Sequence, residues 1–125
     1  MPFTHVRSAS LTGYAEVARS VGLDPFARLR AAGLDVRCLD DPDLKIPVLR
    51  LHALLESSAH AAGIEDFGLR MAMSRRLSNL GLISLAAREE PTVRDALHCL
   101  QRTMHLHNEA ILIDIEEANG IVVIR

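Results

Sequence analysis

An α+β fold is what this sequence predicts: mostly helical, with about six helices, followed by a C-terminal β-hairpin whose sheet is incomplete. Three observations point there. Apolar residues recur at three- and four-residue spacings up to Asn108, the period of a helix with one buried face. Glycine, proline and aspartate punctuate that stretch at positions suited to helix starts and stops. After it, the β-branched run A-I-L-I-D-I-E-E at 110–117 is followed by Asn119-Gly120 and then I-V-V-I-R.

The first helix is expected over residues 11–21 and ends at Gly22, a residue free to adopt the left-handed conformation beyond a helix terminus. Asp24 caps a short second helix, with Pro25 at its first position, where no N–H is needed, and Gly33 at its end. Residues 34–46, with Asp40-Asp41-Pro42-Asp43, read as a connecting loop. Pro47 opens a third helix that Gly63 stops, with Val48, Leu51, Leu55 and Ala59 on its buried face. Asp66 caps a fourth helix, 67–74. A polar break at 75–79 precedes a fifth, strongly apolar helix at 81–88. Thr92 caps the sixth, 92–105, and Asp95 resembles the acid of a capping box, one carbon short. Val93, Ala96, Leu97, Leu100 and Met104 are its expected buried stripe.

Asn-Gly supplies two residues that tolerate positive φ, so the hairpin turn is of type I′. That register sets Ala118 opposite Ile121, Ile115 opposite Ile124, and Asp114 opposite Arg125 as an ion pair. Ile111, Leu112 and Ile113 are left without a partner, and a lone hairpin is marginal in water. The expectation is that residues 1–125 are the front part of a longer protein whose further strands complete the sheet.

Hydrophobic residues make up 49% of the chain but aromatics only 3%, so the core must be aliphatic. Fourteen Lys and Arg against sixteen Asp and Glu give a net charge of −2, without the cationic surplus that sequence-independent nucleic-acid binding requires. Cys38 and Cys99 read as two reduced, semi-buried thiols. No apolar signal core and no window approaching about 18 apolar residues is present, so a soluble, cytoplasmic protein without membrane contact is expected.

The histidines do not suggest a metal or a catalytic base. His52 and His60, and His98 and His105, are too far apart along a helix to share an ion. His105 and His107 share a face only in an extended segment. The stripe His52, Glu56, His60 is ordinary pairing on a solvated face, and its alternative reading is a hydrolase or metal site. Cys99 and His98 are adjacent on a helix and diverge. No nucleophile elbow or phosphate loop occurs. No catalytic residue, metal or cofactor is assigned, and an enzyme is not expected. A second alternative is a small helical DNA-binding protein using a helix-turn-helix at about residues 16–32. Its second helix is short, carries Phe26, Leu29 and Ala32 at core spacing, and offers only Arg28 and Arg30 as cations.

Several stretches, taken as an ordered set, resemble a known family: V-R-S-A-S-L-T-G-Y-A-E-V-A-R-S-V-G-L-D-P at 6–25, D-D-P-D-L-K-I-P at 40–47, G-I-E-D-F-G-L-R-M-A at 63–72, R-R-L-S-N-L-G-L-I-S at 75–84, R-E-E-P-T-V-R-D-A-L at 88–97 and H-L-H-N-E-A at 105–110. The set is similar to the N-terminal domain of AraC-type transcriptional regulators, in the subfamily labelled with an arabinose-binding-like domain. That label does not specify arabinose, because the subfamily is built differently from the jelly-roll sugar sensor that gave the family its name. The resemblance implies an N-terminal domain that senses a small molecule and helps form a homodimer. A separate C-terminal pair of helix-turn-helix units, absent from these residues, would read DNA.

An effector shifts such a regulator only by binding two arrangements of the sensor with different affinity. The segments most suited to move are 75–79 and the helix-to-strand corner at 105–109, where polar side chains meet apolar neighbours. Ser78, Asn79, His105, His107 and Asn108 are the resulting ligand-binding candidates. Their structural alternatives are caps of the fifth helix for Ser78 and Asn79, and a chain turn for Asn108.

Overall fold

A computed structural model describes residues 4–125. Near the start of the chain, β1 (His5–Arg7) pairs antiparallel with β2 (Lys45–Pro47), so that Arg7 lies opposite Lys45. The other edge of β1 is taken by residues near the end of the helical region. Val6 bridges Asn108, the Arg7 N–H donates to the His107 carbonyl at 2.8 Å, and the Glu109 N–H donates to the His5 carbonyl at 3.0 Å. This small sheet corrects the expectation of a plain loop over 34–46. Strands of three residues show too little alternation to register as a period, and their partners are remote in sequence.

Six α-helices follow the expected order. The first, α1 (Tyr14–Ser20), begins three residues later than expected. Leu11 belongs instead to a buried 3-10 turn, Ser8–Leu11, and Gly13 breaks the chain between them at φ +84°. In α2 (Pro25–Ala31) the Asp24 carboxylate accepts from the Phe26 and Ala27 N–H groups, as a cap should. The loop after it holds a second 3-10 turn, Val36–Leu39, capped by Asp35. Helix α3 (Val48–Ala62) closes at Gly63, φ +67°. Its buried face is Val48, Leu51, Leu54 and Ser58, rotated by about one residue from the expected stripe. The polar Ser58 hid that face in the hydropathy pattern, and its hydroxyl meets the buried Tyr14 hydroxyl at 2.7 Å. Helix α4 (Phe67–Ala72) lacks the expected side-chain cap, because both Asp66 oxygens accept from Arg70 Nε at 3.0 Å instead.

The main core joins β1, β2 and α1 to α4. Tyr14, Leu29, Leu54, Phe67 and Met71 are its largest fully buried side chains, and the Tyr14 and Phe67 rings lie 5.5 Å apart. Cys38 and Cys99 are both buried and unbridged. Helices α5 (Leu82–Arg88) and α6 (Val93–Thr103) pack on each other. The stripe expected on α6 is partly covered: Met104 is buried, Ala96, Leu97 and Leu100 are half-buried and Val93 is exposed, while Cys99, outside that stripe, is buried. Thr92 caps α6 through the Asp95 N–H, but Asp95 takes the Thr92 hydroxyl and closes no full capping box.

The hairpin has the expected register. In β3 (Ile115–Ala118) and β4 (Ile121–Ile124), Ile115 faces Ile124 and Ala118 faces Ile121, with Asn119 and Gly120 at positive φ between them. Asp114 and Arg125 exchange backbone hydrogen bonds. Their side chains stand 3.9 Å apart, while Arg125 makes its closer ion pair, 2.7 Å, with Glu116. Every residue of β4 is exposed, and Arg94 of α6 clamps the hairpin through Glu117.

Candidate functional site

Two segments singled out in the sequence come together through a residue that the sequence did not single out. Arg7 leaves the end of β1 with its side chain largely covered. Its Nε and Nη2 both donate to Asp43 Oδ1, at 3.2 and 2.7 Å. Its Nη1 donates to the Asn79 carbonyl at 3.1 Å and meets His107 Nδ1 at 3.2 Å. An arginine can only donate, so His107 Nδ1 accepts and its proton sits on Nε2. Burial, with the positive charges of Arg7, Arg75 and Lys45 nearby, pushes the His107 pKa down to about 4. The imidazole is therefore neutral at pH 7 and serves as a fixed acceptor.

The 77–81 segment is held closely and is more than a polar break. It forms a 3-10 turn, Leu77–Leu80, in which Asn79 Oδ1 accepts from the Arg76 N–H at 2.8 Å and Asn79 Nδ2 donates to Thr12 Oγ1 at 3.0 Å. Arg75 donates to the Ser10 carbonyl and anchors the same turn from its other side. Gly81 follows at φ +65°, ψ −131°, a conformation essentially reserved for glycine. A Cβ there would lie 2.7 Å from Arg7 Nη2, so the guanidinium rests directly against the glycine backbone.

Beside this junction lies an open cleft of about 790 Å³. It is lined by residues 78–81 of the turn with the start of α5, and by Arg7, Thr12 and the Pro42–Asp43 corner. Leu82, Leu85 and Leu106 give the cleft exposed apolar surface, at 82%, 55% and 55% exposure, and the exposed Arg88 also lines it. Such a mixture of apolar wall and few polar groups suits a small organic molecule.

Of the five candidates, Ser78 and Asn79 line this cleft. Asn79 contributes little free side chain, since its amide is engaged on both sides; neither residue caps α5, whose N-cap is Gly81. His107 is buried behind Arg7 and is not in the lining. His105 is exposed in the turn Met104–Leu106, which is not extended, so it does not share a face with His107. Asn108 turns the chain, its Oδ1 accepting from the Ala110 N–H at 2.9 Å. Arg7, Asp43 and Arg88 were not singled out because a lone charge on a three-residue strand, in a loop or at the end of a short helix carries no periodic signal; only the folded structure sets them on one cleft. His52, Glu56 and His60 are all exposed on α3, and among the described residues no three His, Cys, Asp or Glu side chains converge to hold a metal. No helix of the described residues is long and apolar enough to cross a membrane.

Residues 22–125 match the family described as the N-terminal arabinose-binding domain of AraC transcription regulators, and the chain belongs to that family. The resemblance drawn from the sequence motifs therefore holds. The HTH-type transcriptional regulator VirS of Mycobacterium tuberculosis, from each of two strains, is 28% identical to the chain over 115 residues. The match covers 92% of this chain and 34% of VirS, so the chain spans about a third of the length of the curated relatives it matches.

Proposed function

We propose that these residues form the effector-sensing part of an AraC-type regulator, without catalytic activity. They would bind a small molecule in the cleft beside Arg7, support a homodimer, and control a separate DNA-binding domain of a longer cytoplasmic protein. The observation that supports this reading is the junction itself. Arg7 connects the cleft wall at Asn79 to the corner at His107, so a ligand pressing on one alters the support of the other. A ligand acts on such a junction only through a difference in affinity between its arrangements. Ser78, Asn79 and Arg7 would border the ligand, and His107 would act through Arg7. His105 and Asn108 lie outside the lining.

The test is a thermal-shift screen of sugars, amino acids and organic acids against the protein and its Leu82→Trp variant. Leu82 is 82% exposed, so an indole fits there without disturbing the core while filling the cleft. The reading expects at least one compound to raise the melting temperature of the parent protein by about 10 °C at about 100-fold saturation, and the variant to lose that response. A stabilising compound that acts equally on both proteins places the effector elsewhere.

A further inference from the structure

We propose that the cleft reads a monocarboxylate with an apolar body, with Arg88 receiving the carboxylate and Leu82, Leu85 and Leu106 covering the body; this rests on the effector site assigned above. The charged lining consists of Arg7, Arg88 and Asp43. Arg7 and Asp43 satisfy each other, and the remaining Arg7 donors are taken up by Asn79 and His107. Lys45, on the strand beside Arg7, gives its ammonium to the Leu106 carbonyl at 2.7 Å. Arg88 is exposed and makes no ion pair or hydrogen bond with any described residue, so the lining carries one positive charge that no side chain in it answers. Its place in the last turn of α5 suits any cation through the helix dipole. That dipole does not explain the apolar wall beside it.

Leu82, Leu85 and Arg88 follow one another at three-residue intervals, which lines them up along one side of α5. A planar carboxylate takes two parallel hydrogen bonds from a guanidinium, and a chain or ring attached to it would cover the exposed leucines. A cation is repelled from this lining. A phosphate or dicarboxylate calls for a second unengaged cation, which the described lining lacks. A sugar would set its hydroxyls against leucine.

Octanoate, octanol and octylammonium share one apolar chain and differ in charge, so amide NMR titrations with the three isolate the head group. Octanoate is expected to move the resonances of residues 78–88 and to bind about tenfold more tightly than octanol, the worth of one charge-assisted contact. Arg88→Gln should abolish that preference and leave octanol affinity unchanged. Equal affinities in the parent protein, a preference for octylammonium, or an unchanged ratio in the variant overturns the assignment. Silence to all three probes also overturns it. In that case the effector site still stands if the screen yields a stabiliser sensitive to Leu82→Trp, and falls with it if the screen is silent.

Discussion

His107 shows how one buried side chain can carry both structure and a pH dependence. Its neutral imidazole accepts from Arg7 inside the protein, where burial and three cations oppose a second proton. Unfolded, the same ring titrates near its ordinary value of 6.5. Above that value both states are neutral and the contribution to stability is complete. Between 6.5 and about 4 only the unfolded chain takes up the proton, so folding stability falls as the pH falls. The full loss amounts to about 3 kcal/mol. Gln at this position keeps an acceptor without a titrating ring. Urea unfolding of His107→Gln should therefore lose less stability than the parent protein between about pH 7 and pH 4.5, by about 2 kcal/mol or more. Parallel losses would mean that His107 is not held neutral. Nothing in the sequence announced this role: His107 stood among the candidates for its place at a corner, and its partner Arg7 is a single cation on a three-residue strand.

Among the elements, the 77–81 turn separates what a sequence discloses from what it does not. The polar residues at 75–79 were legible as a break between two helices, while Gly81 was read as the start of the fifth helix and not as part of the turn. The rigidity of the turn was not legible, because the groups that fix it, Thr12, Ser10 and Arg7, arrive from the other end of the chain. The same contrast runs through the fold. Asp24, Gly63, Thr92 and Asn119-Gly120 act within a few residues of themselves, and each does locally what its chemistry suggests. Asp66 differs because a side-chain pair with Arg70 decided it. Gly81→Ala tests the turn directly. The added methyl meets Arg7 Nη2 and the backbone must leave φ +65°. A loss of about 1–3 kcal/mol in denaturant unfolding is expected, with the His107 pKa moving as Arg7 is displaced. An unaltered stability and an unaltered imidazole would show that the guanidinium does not rest on Gly81.

At the scale of the molecule, β1 draws the start of the chain, the middle and the end of the helical region into one small sheet, and Arg7 projects from that meeting point into the cleft wall. The family was legible from ordered motifs, whereas the cleft was only half legible: Ser78 and Asn79, which line it, were singled out in the sequence, and Arg7, Asp43 and Arg88 were not. A second, smaller groove lies between α6 and the hairpin, lined by Leu97, Ile115, Val122 and Ile124, and it competes for any apolar ligand. Methyl NMR of the protein with the strongest stabiliser from the screen decides between the two. Shifts confined to Leu80, Leu82, Ile83, Leu85 and Leu106 are predicted. Shifts centred on Leu97, Ile115, Val122 and Ile124 would contradict the placement of the effector beside Arg7.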